Sequence, residues 1–234
     1  MSLQIKGMNE KETAVIRESA LFTGITDQEF LPMLDCLGAF VRTFRRGEIL
    51  TLTGDAVRCL GMVLEGTVHM IQEDLWGRRT ILEYVRPGGA FGETFVCGSS
   101  MASAVTFLAA CELKVLYLPF YRVMHSCRNS CVFHHRLIEN MVTLVADKNA
   151  RLMAKVEVIS QKSLREKILT FLSLQAQMQG SGYFEIPMSR QELAEYLCAD
   201  RSALSRELSG MKADGLLDYD RNTFRLLNFS KKEF

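Results

Sequence analysis

Between Phe44 and Pro119 the chain alternates short runs rich in Val, Ile, Leu, Thr and Tyr with glycine-centred turns, and this texture restricts the fold more than any other feature. The turns fall at Arg46-Gly47-Glu48, Thr53-Gly54-Asp55, Glu65-Gly66-Thr67, Trp76-Gly77-Arg78 and Pro87-Gly88-Gly89. Runs of this length pair as hairpins, and successive hairpins form a closed or sandwiched antiparallel β structure. A tight hairpin turn needs positive φ, which glycine adopts without steric cost.

Helical texture brackets this region. Glu12–Phe22 and Asp27–Leu37 both carry helical periodicity, with Thr26 or Asp27 available as an N-cap. From Asn129 to Ile159 the chain has neither Gly nor Pro, and Ile138, Met141, Val145, Leu152 and Ile159 follow heptad-like spacing, with Lys148 interrupting the stripe. A helix of about 30 residues spans roughly 45 Å, more than one small domain can cover. A helix from a second subunit accounts for the extra apolar length, so the pattern predicts a homodimer. The Lys148 stem can lie along apolar surface. A boundary near Ser160–Ser163 precedes a further helix, Leu164–Met178, which stops at Gln179-Gly180-Ser181-Gly182.

The strongest motif follows. Ser189-Arg190-Gln191-Glu192 has the form of a capping box, in which the serine hydroxyl accepts from the Glu192 amide and the glutamate reaches back. A helix therefore starts there, with Leu193, Ala194 and Leu197 inward, and ends around Cys198-Ala199. Asp200 is placed to cap a second helix, Arg201–Lys212, whose apolar face is Leu204, Leu208 and Met211. Two short helices joined by a tight turn form a helix-turn-helix. Beyond Gly215, Leu216–Tyr219 and Thr223–Leu227 alternate in polarity and join at Asp220-Arg221-Asn222, which predicts a wing. Arg201, Ser202, Ser205 and Arg206 share the outward face of the second helix. Most such faces are simply solvated. Arginine forks, however, suit guanine O6 and N7 in the major groove, and hydroxyls suit phosphates or base edges.

Composition narrows the class. The 234 residues are 48% hydrophobic and 24% charged, as in a soluble globular protein. No apolar run approaches the roughly 20 residues that span a bilayer, and Met1–Arg17 reads as neither signal nor transit peptide, so a cytoplasmic protein without a membrane partner is expected. Net charge is only +1, and from Ser160 onward 11 Lys and Arg face 10 Asp and Glu, so DNA affinity has to come from placement and dimerisation. The seven cysteines, Cys36, Cys59, Cys97, Cys111, Cys127, Cys131 and Cys198, are odd in number and scattered, the pattern of reduced thiols.

Several of these stretches resemble one family. Ser189-Arg190-Gln191-Glu192-Leu193-Ala194, Asp200-Arg201-Ser202-Ala203-Leu204-Ser205-Arg206-Glu207-Leu208 and Lys212-Ala213-Asp214-Gly215-Leu216-Leu217 resemble the DNA-binding region of CRP/FNR-type regulators. Gly47-Glu48-Ile49-Leu50, Gly54-Asp55, Leu64-Glu65-Gly66-Thr67-Val68 and Pro87-Gly88-Gly89-Ala90-Phe91-Gly92-Glu93 resemble the family's β-roll. The resemblance implies an α+β protein in three parts. These are an N-terminal antiparallel β-roll of the cyclic-nucleotide-binding type (residues 1–125), a long dimerisation helix (126–160) and a C-terminal winged helix-turn-helix (161–234). It implies an effector-responsive regulator that partners double-stranded DNA, its own copy and RNA polymerase. Arg201, Ser202 and Arg206 fall on the family's base-reading positions, Ser205 sits beside them, and Ser189, Arg190 and Gln191 complete the expected DNA-binding set. Ser202 stands where the best-known members have Glu. A carboxylate accepts from cytosine N4 whereas a hydroxyl discriminates less, so a different operator is expected.

The resemblance also places an effector cassette at Gly92, Glu93 and Thr94, continuing to Ser103, with Arg151 and Lys148 facing it from the long helix. Thr94–Ala104 contains no arginine to neutralise a phosphate, and Gly89-Ala90 stands where the family's usual Asp precedes Phe-Gly-Glu. The expected effector is therefore an unidentified small molecule other than cyclic AMP. The family's cluster-binding members carry an N-terminal cysteine group, and Met1–Asp35 contains no cysteine, which argues against an iron–sulfur centre. His125, Cys127, Cys131, His134 and His135 are the densest set of zinc- or haem-capable side chains, read here as a helix start with incidental Cys and His. Two rival classes account for less of the sequence. A regulatory module of an enzyme complex would leave Arg201–Arg206 without a task, and an enzyme would need a nucleophile–base pair, phosphate loop or carboxylate pair in persuasive context.

Overall fold

The computed structural model describes residues 8–125 and 132–227, and these fall into two compact units that divide between Ala146 and Asp147. The first unit opens with α1 (Glu10–Arg17), a short 3-10 turn at Ala20–Phe22, and α2 (Asp27–Cys36). The expected helix Glu12–Phe22 starts earlier and stops sooner. Asn9 caps α1 by accepting from the Glu12 amide at 2.9 Å, while Glu12 accepts from the Asn9 amide at 2.9 Å. Thr26 caps α2, its amide and hydroxyl donating to Glu29 at 2.9 and 2.8 Å.

Eight strands follow: β1 (Phe40–Phe44), β2 (Ile49–Thr51), β3 (Cys59–Glu65), β4 (Val68–Glu73), β5 (Arg79–Val85), β6 (Ala90–Phe91), β7 (Thr106–Ala109) and β8 (Leu113–Pro119), with a one-turn helix α3 (Glu93–Val96) after β6. They form two four-stranded antiparallel sheets, ordered β1-β8-β3-β6 and β2-β7-β4-β5. The five glycines expected at turns, Gly47, Gly54, Gly66, Gly77 and Gly88, all have φ between 77° and 93°. Gly66 is doubly required, because a Cβ there would run into the Glu112 carbonyl.

β3 is buried on both faces. Leu60, Met62 and Leu64 turn toward a helical layer with Phe30, Met33, Leu34 and Leu137, while Val63 packs between the sheets with Val68, Phe91, Phe107 and Val115. That explains why β3 reads as a continuous apolar run rather than an alternating one.

α4 (Phe120–Met124) and the long α5 (Val132–Ile159) complete the order up to the second unit. Residues 129–131 of the expected helix lie outside the described ones. Structure corrects the expected stripe on α5. Met141 is 3% exposed and belongs to the core with Phe133, Leu137 and Leu144. The outward stripe is Ile138, Val142, Val145, Asn149, Leu152, Val156 and Ile159, so Lys148 flanks the seam instead of breaking it.

In the second unit α6 (Leu164–Gln179) starts at a capping box between Ser163 and Glu166 and ends at Gly180, whose φ is 63°. β9 (Tyr183–Glu185), α7 (Arg190–Tyr196), α8 (Arg201–Ala213), β10 (Leu217–Asp220) and β11 (Thr223–Leu226) follow. The wing is a three-stranded sheet, β10-β11-β9, whose third strand the sequence reading lacked. Leu172, Leu193, Leu197, Leu204, Leu208, Met211 and Phe224 form the core of this unit with Val158 from the end of α5. No described helix is long and apolar enough to cross a membrane.

Candidate nucleic-acid interface

Local sequence sets the frame of the helix-turn-helix. The Ser189 box forms as expected, with the Ser189 amide donating to Glu192 at 2.8 Å and the Glu192 amide donating to the Ser189 hydroxyl at 3.2 Å. α7 ends at Tyr196, and the chain turns through Cys198, which has a φ of 52°. A side chain in this left-handed region costs about 1–2 kcal/mol, offset here by the buried pair Leu197 and Leu204 on either side of the turn. Asp200 occupies the N-cap position of α8, but its carboxylate makes no capping hydrogen bond. The expected side-chain cap is therefore absent, and α8 is held instead by its buried leucines and by ion pairs.

Those pairs sort the cations of this unit. Arg165 on α6 donates to Glu207 at 2.7 Å and to Asp214 at 2.6 Å, which holds the back of α8 and keeps its guanidinium charged. Lys212 pairs with Asp218 at 2.5 Å at the foot of the wing, and the ammonium depresses the Asp218 pKa. Arg190 donates to the Arg221 carbonyl at 2.6 Å and lies 4.9 Å from the ring centroids of both Tyr219 and Phe224. By contrast, Arg201 and Arg206 are exposed and have no ion-pair partner among the described residues.

The seven DNA-binding candidates thus divide. Arg201, Ser202, Ser205 and Arg206 come together on the exposed N-terminal half of α8, where the Ser205 hydroxyl donates to the Arg201 carbonyl at 3.0 Å and keeps acceptor capacity. The α7 residues are engaged within the chain: Ser189 in its cap, Gln191 donating to Glu195 at 2.8 Å, and Arg190 against the wing. The Arg165 clamp had no signal in the sequence, because its partners lie 42 and 49 positions away. Arg221, at the two-residue wing tip with a φ of 49°, is a further exposed cation that the sequence reading did not assign to DNA.

The effector candidates in the first unit flank one segment, Gly54–Cys59. Gly92 has a φ of 84°, and a Cβ there would press on Val57 and the Cys59 carbonyl. Glu93 is 4% exposed, and the Thr94 hydroxyl reaches its carboxylate at 3.5 Å. Ser103 is 3% exposed with both roles of its hydroxyl taken, donating to the Val105 carbonyl at 2.6 Å and accepting from the Val105 amide at 3.3 Å. Between the sheets, Phe91, Phe95, Phe107 and Tyr117 pack as an aromatic cluster, the first and third with centroids 5.1 Å apart. Within this set the buried Ser103 hydroxyl is engaged in its own turn, and Glu93–Ala104 carries no cation. Arg151 lies exposed on α5 in the second unit.

Of the zinc or haem candidates, Cys127 and Cys131 lie outside the described residues. His134 is buried against Phe133, its pKa pushed down by burial despite a hydrogen bond to the Arg122 backbone and with His135 adding to the depression. His125 stacks on Tyr121 and donates from Nδ1 to the Tyr121 carbonyl at 2.8 Å. Among the described residues no three His, Cys, Asp or Glu side chains converge on a metal-sized point.

Residues 41–127 match the family model described as a cyclic nucleotide-binding domain, and residues 166–231 match that described as a Crp-like helix-turn-helix domain. Among curated relatives, the transcriptional activator protein FnrL of Cereibacter sphaeroides is 24% identical over 203 residues, 82% of this chain and 77% of the relative. The nitrogen fixation regulation protein FixK of Rhizobium meliloti is 28% identical over 178 residues, 76% of this chain and 77% of the relative. Among solved structures, FixK2 from Bradyrhizobium japonicum aligns with a TM-score of 0.54 at 20% identity, covering 81% of this chain and 93% of that one. The c-di-GMP responsive regulator CLP from Xanthomonas campestris aligns with a TM-score of 0.58 at 19% identity, covering 85% of this chain and 98% of that one. These structures share the arrangement of an N-terminal β domain, a long helix and a C-terminal helix-turn-helix.

Proposed function

The chain belongs to the CRP/FNR family, which are DNA-binding transcription regulators and not enzymes, and on that premise we propose that it works as a homodimer reading an operator through α8. The observation that carries this reading is that Arg201 and Arg206 stand exposed on the N-terminal half of α8 without an ion-pair partner among the described residues, whereas Arg165, Arg190 and Lys212 are held within the chain. Arg206 and Arg201 supply forks for guanine, Ser202 and Ser205 supply hydroxyls, and Arg221 at the wing tip meets backbone phosphate. Ser189, Arg190 and Gln191 lie at the DNA side of α7, where their part is chiefly to hold that surface in shape. Two copies of α8 must sit about 34–36 Å apart to enter successive major grooves on one face of the duplex.

The three functional parts are the β-roll at residues 1–125, the dimerisation helix at 126–160 and the reading head at 161–234. The effector is a small molecule other than cyclic AMP, meeting the chain around Gly92, Glu93, Thr94 and Ser103, with Arg151 as a further contact from the long helix. It acts by binding two arrangements of the dimer with different affinity. The regulator acts on RNA polymerase at the bound promoter, in the cytoplasm.

Operators selected from a random duplex pool, with and without cell extract, test this directly. A palindromic consensus is expected, and Arg206→Ala should cost about 1–3 kcal/mol and relax preference at one base pair per half-site. Retention of no duplex at low salt would end the proposal.

A further inference from the structure

We propose that Arg165 is a positioning residue for operator reading: by gripping Glu207 and Asp214 together it fixes the angle at which α8 presents Arg201 and Arg206. This rests on the reading of DNA through α8 above and adds the residue that aims the helix.

Arg165 is the second residue of α6, and its Nε and Nη2 atoms donate to two separate carboxylates of α8, Glu207 at 2.7 Å and Asp214 at 2.6 Å. Glu207, Gly210 and Asp214 form a strip along α8 beside its buried face of Leu204, Leu208 and Met211. The guanidinium lies across Gly210, where even a Cβ would come within 3.7 Å of Nη2. A glycine weakens a helix interior, and here it leaves the fork room that a longer side chain would take. Two residues further along α6, the Lys167 ammonium donates to the Leu197 carbonyl at 3.4 Å, in the turn between α7 and α8. α6 thus holds both the turn and the back half of α8.

Leucine packing does not by itself set this angle. Apolar burial is non-directional and tolerates small slides and rotations, whereas an arginine fork pairs with carboxylates only in a narrow geometry. Two acceptors seven residues apart on one helix fix both its slide along its axis and its turn about that axis. The reading residues sit at the far end. Thirteen positions separate Asp214 from Arg201, about 20 Å of helix, so a tilt of about 3° at the clamp moves Arg201 by about 1 Å. A binding constellation needs placement to about 0.5 Å. Stability does not account for the clamp, because the Arg165 and Asp214 side chains are 40% and 51% exposed, and ion pairs so exposed contribute little to folding. Phosphate binding does not account for it either, since two carboxylates already face its single positive charge.

The test compares the full chain with Arg165→Met, Arg165→Lys and Asp214→Asn by anisotropy titration across a salt series, with a thermal melt of each. The duplexes are the selected operator, its single-base variants and a scrambled sequence. Arg165→Met should bind the operator about tenfold more weakly and the scrambled duplex as tightly as the native chain does. Its preference should relax at every read position of the half-site, where loss of one base contact would relax only one. Arg165→Lys keeps the charge but reaches one carboxylate at a time, so it and Asp214→Asn should fall between. All three should melt close to the native midpoint; should Arg165→Met melt early, the other two carry the same comparison. Equal loss on both duplexes, with a log K against log salt slope reduced by about 0.9, would make Arg165 a phosphate contact and overturn the proposal. Native discrimination in Arg165→Met and Asp214→Asn would overturn it as well, leaving α8 aimed by its leucines. A native chain that binds operator and scrambled duplex alike would overturn the reading of DNA through α8 itself.

Discussion

The Arg190 guanidinium lies 4.9 Å from the Tyr219 ring centroid, which binds the first residue of α7 to the wing. Phe224 takes the same cation at 4.9 Å, and the Arg221 carbonyl accepts its proton at 2.6 Å. Burial pushes the Arg190 pKa down, opposed by Tyr219, so the positive charge is held by ring faces more than by water.

Arg190→Ala should therefore loosen the wing. Cation–π contacts of this kind contribute roughly 0.5–2 kcal/mol, which a thermal melt will register as a lower midpoint. Operator affinity should fall while the dependence of log K on log salt keeps its slope. A slope reduced by about 0.9 would instead identify Arg190 as a phosphate contact.

Ser202 is exposed on α8, next in sequence to Arg201. Ser202→Glu should shift the selected operator at one position per half-site toward a pair presenting cytosine N4, by about 1–3 kcal/mol. An unchanged consensus would show that position 202 does not reach the bases.

Gly61 in β3 leaves room for the Phe91 ring, and a Cβ built there overlaps that ring. Phe91 in turn packs on Phe107 at 5.1 Å, so the displaced ring has no free space to enter. Gly61→Ala should cost about 1–3 kcal/mol by overpacking, measured by urea unfolding. Full native stability would show that the sheets can part locally.

His134 is 2% exposed and its pKa is depressed by burial. A histidine whose folded pKa lies below its unfolded value contributes stability above the unfolded value, about 6.5, and loses it as pH falls toward the folded one. Unfolding midpoints should thus drop as pH falls below about 6.5, and His134→Gln should flatten that decline. An identical profile in the variant would assign the decline to other groups.

The helix-turn-helix is legible in the sequence because its determinants are local. Ser189 and Glu192 are three residues apart, and Leu204, Leu208 and Met211 repeat at helical spacing. The glycine turns were legible for the same reason. β9 was missed because three residues, Tyr183–Glu185, carry too short a period to distinguish from a loop, and only pairing with β11 makes them a strand. Met141 was placed on the wrong face of α5 because several apolar stripes fit a helix so rich in aliphatic residues. Only packing shows which stripe its own unit consumes.

Sequence alone determined the order of parts, the turns, the caps at Thr26 and Ser189 and the outward position of Arg201 and Arg206, since each depends on neighbours a few residues away. Tertiary structure decided which cations are tied and which are free, which seam α5 leaves uncovered, and that aromatic rings occupy the space between the sheets. Those outcomes come from residues dozens of positions apart competing for the same hydrogen-bond acceptors and the same volume, and no local pattern records who wins.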